Sequence, residues 1–156
     1  MISHRRVIES DLETILRWRN LSENRSKMLT SHTITWPEHL DWWSSLGQNK
    51  QKVFILTAKE IDIGVVNFFE KTGRLFWGFY LSDSAQAYAW ETLFNIEVWV
   101  LKYSKYSLKL EKLYCETLLS NQVVWKIHKR FGFKDEMIQN YNNTLLQAID
   151  LNEVSF

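Results

Sequence analysis

Alternation and helical spacing divide the chain into blocks. Residues 5–9 read as a short first strand, and Ser10-Asp11-Leu12-Glu13 has the spacing of a capping box. Ile15, Leu16 and Trp18 then form the apolar side of a first helix. Residues 20–33 are polar and irregular apart from Met28 and Leu29. Thr35-Trp36-Pro37-Glu38 opens a second helix, because Pro is tolerated in a first turn. Its stripe is Leu40, Trp43 and Leu46, with Trp42 off that stripe and Gly47 at the end. Residues 53–58, 61–69 and 75–81 are three strand-like runs, apolar on both alternations, so the sheet they form is covered on both faces. Ala58-Lys59-Glu60 and Glu70-Lys71-Thr72-Gly73 mark the turns between them. Residues 90–106 read as a long helix, 113–119 as a fifth strand, the segment after Asn121 as a short helix and 144–151 as a last strand. The order is mixed α/β with an antiparallel meander at its centre.

With 156 residues, one Pro, five Gly and no repeat, the chain is expected to form one domain over residues 1–156. Apolar content of 46% and a net charge of +1 fit an ordinary globular protein and give no electrostatic case for nucleic acid or an anionic membrane. No stretch approaches the roughly 20 apolar residues of a membrane span, and no apolar leader follows Met1, so the expected compartment is the cytoplasm. The single cysteine, Cys115, excludes an internal disulfide, offers no metal spacing and reads as a small buried hydrophobe. Eight Trp exceed what a core this size needs, which suits a site that stacks a planar ligand.

Candidate chemistry concentrates in Asn121-Gln122-Val123-Val124-Trp125-Lys126-Ile127-His128-Lys129-Arg130-Phe131-Gly132-Phe133. Seven residues are about two turns, so Asn121 and His128 share roughly one helix face. This frame resembles the last motif of the GCN5-related N-acetyltransferases (GNATs), a likeness that extends over essentially the whole chain. It implies a mostly antiparallel sheet of six to seven strands, flanked by about four helices, with the fourth and fifth strands splayed. It also implies acetyl-CoA as cosubstrate and no metal. In the family, a Tyr at the place of His128 protonates the departing thiolate. An imidazole titrating near neutrality can do the same. By the same resemblance Asn121 orients the pantetheine or the helix terminus.

The family's pyrophosphate loop matches Gln86-Ala87-Tyr88-Ala89-Trp90-Glu91, with Ala89 in place of Gly and Glu91 in place of the last small residue. Backbone amides at such a helix start attract anions. Leu81 and Ser82 complete the coenzyme side, and the resemblance implies a bulge near Tyr80-Leu81-Ser82 whose free N–H polarises the thioester carbonyl. Glu116, in an otherwise apolar strand, is the candidate base for the acceptor amine.

Trp18-Arg19-Asn20, Met28 and Ile34-x-x-x-Glu38-His39-Leu40-x-Trp42 look like the acetyltransferases of bacterial nucleotide-linked amino sugars, those of the pseudaminic-acid pathway above all. Carried over, Arg19 and His39 contact phosphate or sugar, Met28 and Trp42 pack on the ligand, and Tyr80 borders the amine. The acceptor this implies is a UDP- or dTDP-linked 4-amino-4,6-dideoxyhexose of surface-glycan synthesis. A protein N-terminus, a polyamine or an aminoglycoside are the alternative acceptors, and a silent acyl-CoA-binding domain is the alternative class. The exposed edge of the last strand leaves room for a homodimer.

Overall fold

A computed structural model describes residues 1–49, 51–86 and 89–156. One seven-stranded sheet runs through them in the order β1-β2-β3-β4-β5-β7-β6. Its strands are β1 Ile2–Arg6, β2 Lys52–Ala58, β3 Ile61–Lys71, β4 Arg74–Leu81, β5 Lys112–Leu118, β6 Lys134–Gln139 and β7 Thr144–Asp150. The helices are α1 Leu12–Arg19, α2 Ser22–Arg25, α3 Trp36–Asn49, α4 Ala89–Lys102 and α5 Gln122–Arg130. Every neighbouring pair is antiparallel except β4 and β5. Those two run parallel and are in register only at Phe76↔Tyr114, so they diverge toward Leu81 and Leu118. That divergence opens the site.

The meander forms because its turns supply positive φ. Lys59 and Glu60 (φ 50° and 65°) close β2 on β3, and Thr72 and Gly73 (φ 53° and 74°) close β3 on β4. One sheet face packs against α4 and α5 through Phe54, Phe68, Trp77, Leu93, Ile96, Val124 and Ile127. The other packs against α1 and α3 through Ile15, Trp18, Val53, Ile55 and Val65, with Trp42, Trp43, Leu46 and Tyr80 half-buried around them. β4 presents Trp77 and Leu81 to the first face and Tyr80 to the second, as the two-residue period requires.

Several expectations shift. The first strand lies three residues earlier than its alternation suggests. Ser10 does not start a capping box: it lies inside a short 3-10 turn (Glu9–Asp11) ahead of α1, where the Asp11 carboxylate accepts from the Ile8 amide (2.9 Å) and from Arg5 Nη1 (2.8 Å). At the start of α3, Thr35 and Glu38 form a capping box, bonding reciprocally at 3.3 Å. On α3 the inward-facing stripe is buried His39 with half-buried Trp42, Trp43 and Leu46, whereas Leu40 is exposed and the helix passes Gly47 to reach Asn49. His39 takes an apolar position because its Nε2 donates to the Leu12 carbonyl at 2.8 Å and its ring stacks on Trp42 at 5.2 Å. The helix from residue 90 turns π-helical at Tyr103–Ser107. β6 and the short α2 are additional elements. β6 also takes the sheet edge, so β7 lies between two strands and offers no free edge for a dimer.

Candidate active site

The splay of β4 from β5 opens a cleft of about 890 Å³ that passes from the α1/α3 side of the sheet to the α4/α5 side. Arg19, Met28, His39, Trp42 and Tyr80 line it, as do Glu116, Asn121, Leu81, Trp90 and His128. Ten of the residues singled out from sequence therefore meet in one cavity.

His128 is carried by α5, whose C-terminus is a Schellman motif. The Phe133 amide donates to the His128 carbonyl (3.0 Å) and the Gly132 amide to the Lys129 carbonyl (3.1 Å). Gly132 takes φ +112°, and a Cβ there would lie 3.2 Å from Ile149 Cδ1. The reversal folds Phe133 under the imidazole, with ring centroids 5.4 Å apart, while Trp77 meets it edge-on at 5.2 Å. His128 is 3% exposed. Its Nδ1 donates to both carboxylate oxygens of Glu97, at 2.8 and 2.9 Å, and Glu97 is itself buried. Burial opposes the imidazolium, but the Cys115 sulfur and the Glu97 carboxylate outweigh it and raise the pKa to about 10. Burial likewise pushes the Cys115 thiol up.

Sequence reading missed Glu97. Its signal was a carboxylate among Leu93, Ile96, Val100 and Leu101, all buried on one face of α4. A charge at such a position demands a partner, and α5 supplies it.

Glu116 sits across the sheet from that pair. Its side chain is 5% exposed; Lys71 Nζ donates to Oε1 at 3.0 Å and Thr144 Oγ1 to Oε2 at 2.7 Å. Neither partner was foreseen. Arg19 Nη2 donates to the Thr30 carbonyl at 2.8 Å, while Nη1 is buried with no hydrogen-bond partner. Burial lowers the Arg19 pKa and raises that of Tyr80, the adjacent phenol. Burial also lowers the pKa of His39, with the Leu12 hydrogen bond opposing it, so His39 is a neutral donor.

Asn24 is another residue the sequence did not announce. It is buried, and its Nδ2 donates to the Trp18 and Leu81 carbonyls at 2.7 and 2.8 Å, pinning α2 to the end of β4.

On the coenzyme side the picture is altered. The β3–β4 register runs unbroken from Gly64↔Leu81 to Lys71↔Arg74, so there is no bulge near Tyr80-Leu81-Ser82. A free amide arises differently. The Ser82 amide donates to the Ile63 carbonyl, so by alternation the Leu81 and Phe79 amides turn toward β5. The Leu81 amide makes a long contact to Asn24 Oδ1 (3.4 Å), and that of Phe79 faces the widening gap. Gly64 permits this close β3–β4 pairing, since a Cβ there would collide with the Tyr80 carbonyl.

Ser82 is fully buried and its Oγ donates to the Asp62 carbonyl at 2.8 Å, which commits both of its donors to β3. Gln86 Nε2 donates to Asn24 Oδ1 at 3.3 Å. Ala87 and Tyr88 lie outside the described residues, Ala89 begins α4, and Glu91 is exposed beside the half-exposed Trp90. The Asn121 side chain does not cap α5 but lines the cleft. Among the described residues no cluster of His, Cys, Asp and Glu could hold a metal ion, and no helix is long and apolar enough to cross a membrane.

A profile described as an acetyltransferase (GNAT) domain matches residues 4–134. Comparison with curated proteins found no match. Solved structures share the fold. Spermidine N-acetyltransferase from Vibrio cholerae, in complex with CoA and spermine, is 17% identical with a TM-score of 0.83 over 97% of this chain and 96% of that one. The N-acetyltransferase PseH of Campylobacter jejuni, in complex with acetyl coenzyme A, is 20% identical with a TM-score of 0.74 over 96% and 99%. AAC(6')-Ib, in complex with ribostamycin and coenzyme A, is 14% identical with a TM-score of 0.81 over 96% and 93%.

Proposed function

The chain belongs to the GNAT acetyltransferase family and is an acetyl-CoA-dependent N-acetyltransferase, and we propose that its acceptor is the primary amine of a nucleotide-linked amino-deoxy sugar. The observation that carries this choice is the buried Arg19 Nη1, an unpaired guanidinium donor beside the cleft. A planar fork with a free N–H suits the diphosphate of a nucleotide-sugar.

Charge supports the same acceptor. Among the described residues, Arg19, Lys27 and Lys71 line the cleft with only two carboxylates, Glu38 and Glu116. Glu116 is paired with Lys71, and Glu38 with His32 at 2.9 Å. A polycationic acceptor needs unpaired carboxylates, and neither of these is unpaired. Trp42 and Met28 offer flat and adaptable surface for a base or sugar ring. Glycan synthesis in the cytoplasm is the setting this acceptor implies.

Acetyl-CoA fits the α4/α5 side. The start of α4 would attract its pyrophosphate and Asn121 its pantetheine, while the Phe79 amide points where a thioester oxygen would lie. Transfer is direct. Glu116 accepts the proton of the amine, the amine nitrogen bonds to the acetyl carbon, the carbon–sulfur bond breaks, and His128 delivers its proton to the thiolate. The whole chain, residues 1–156, acts as one catalytic domain.

Thiol release measured with a UDP- or dTDP-linked 4-amino-4,6-dideoxyhexose, spermidine and an aminoglycoside tests the proposal. The nucleotide-sugar is expected to give a kcat/KM at least about tenfold above the others. Arg19→Ala is expected to raise its KM by about tenfold or more, the scale of one charge-assisted hydrogen bond. A preference for spermidine or the aminoglycoside would overturn the acceptor, and no turnover with any amine would favour a silent binding domain.

A further inference from the structure

Resting on His128 as the acid, we infer that Glu97 is the positioning residue of the reaction: its carboxylate holds Nδ1–H of His128 and so fixes the ring as a cation offering Nε2–H to the departing thiolate. Two independent features of the geometry point there. Both oxygens of Glu97 lie within 2.9 Å of Nδ1. A carboxylate only accepts, so that nitrogen carries a proton and the second nitrogen is the one left to exchange. Moreover, Glu97 occupies a position of α4 that is otherwise apolar, where a carboxylate is costly unless it is paired. A phenol acid needs no counter-charge in such a dry place. An imidazolium does, and this chain supplies one from the next helix.

The surroundings give the ring one carboxylate, Glu97, and one further titratable neighbour, Cys115, whose sulfur also favours the cation. From β4 the ring meets Trp77, from the end of α5 Phe133, and from β5 Cys115, whose thiol is pushed up by burial and hydrogen-bonds to the imidazole. Alone, an imidazole this buried would be neutral at pH 7 and could settle in either tautomer. With Glu97 and Cys115 beside it, it holds its proton across the neutral range and has one to give to sulfur. In the step itself the carbon–sulfur electron pair goes to sulfur and the Nε2 proton follows it. The ring is left neutral with Nδ1–H still on Glu97, and it regains a proton from solvent. Before that transfer, the cation's field favours the developing thiolate.

Glu97→Gln tests this, since its amide oxygen can still accept from Nδ1 without the charge. Isotope-labelled imidazole, followed by NMR, reports the His128 titration without any activity. It is expected to fall by about two units or more toward or below the ordinary histidine value. The alkaline limb of kcat should move with it, so that kcat at pH 8.5 drops by about tenfold or more while kcat at pH 6 stays within about threefold. KM for acetyl-CoA should be unchanged, and Glu97→Asp should restore part of the limb. If Glu97→Gln does not fold, Glu97→Asp, whose shorter side chain draws the carboxylate back from Nδ1, is expected to move the same two readouts in the same direction by a smaller amount. An unmoved titration and pH profile would make Glu97 a purely structural partner and overturn the inference. His128→Phe separates this from failure of the acid reading. Undiminished turnover in that variant would remove the acid, and the positioning role with it. Lost turnover beside an unchanged Glu97→Gln profile would remove the positioning role alone.

Discussion

Replacing His128 by Phe strips the cation from a buried pair and leaves Glu97, 2% exposed, with no charge opposite it. Breaking such a pair from one side costs about 3–5 kcal/mol, whereas replacing both members by apolar side chains can be near neutral. Urea denaturation is therefore expected to show His128→Phe strongly destabilised and His128→Phe/Glu97→Leu largely recovered. The two buried histidines also set opposite pH limits. His128 has a folded pKa raised to about 10, so its contribution to stability is complete below about 6.5 and is lost as pH rises toward 10. His39 has a lowered pKa, so its contribution is present above about 6.5 and is lost as pH falls below that value. Urea midpoints across pH should show His39→Gln flattening the acid side and Glu97→Gln flattening the alkaline side. At the cleft, Glu116→Gln keeps a hydrogen-bonding group between Lys71 and Thr144 but removes the proposed base. Turnover at saturating acetyl-CoA is expected to fall by about a hundredfold or more, with little change in folding.

At the scale of elements, legibility followed local chemistry. The meander could be read because its turns and its β-branched and aromatic runs are local signals. The α5 frame could be read because Asn121, His128 and Gly132 act at fixed spacing along one short helix. Stripe assignment on α3 failed where a histidine stood at an apolar position, since its satisfaction by the Leu12 carbonyl, 27 residues away, is invisible locally. β6 escaped notice because it is an exposed edge strand, with a charged start and no buried face to impose alternation. Glu97 and Lys71 were missed for the same reason as the His39 bond: their partners, His128 and Glu116, are distant in sequence. The Schellman end of α5 carries a prediction of its own. Gly132→Ala places a Cβ at φ +112° and within 3.2 Å of Ile149, which should cost about 1–3 kcal/mol in chemical denaturation. It should also lower turnover, because the displaced turn no longer seats Phe133 under the His128 ring.

Across the whole molecule, the sheet is two well-paired halves with a weak seam. β1 to β4 pair along their lengths with one register shift at Leu56/Thr57, and β5, β7 and β6 with one at Asp135/Met137, but β4 and β5 are in register at one residue pair only. The seam is where the Phe79 amide and the diverging walls of the cleft lie, so the weakness and the proposed binding site are one feature. Elements that open to admit a ligand come from the low-stability end of a fold. A ligand spanning the seam should therefore stabilise the molecule and protect the strands flanking it. Acetyl-CoA at about a hundred times its Kd contributes about 2.7 kcal/mol. In a domain of this length that is worth roughly 5–10 °C in Tm. Hydrogen exchange is expected to slow most at residues 77–81 and 114–118 and least in β1 and β6, which lie at the far edges of the sheet. The same ligand on Gly78→Val tests the cause, because a side chain there meets Asn67 and Phe69 on the acceptor side and leaves the coenzyme side open. Acetyl-CoA should still raise Tm in that variant while transfer to the amine fails. If millimolar acetyl-CoA moves neither Tm nor exchange in the unaltered protein, the seam does not hold the coenzyme and the catalytic reading of the cleft falls with it.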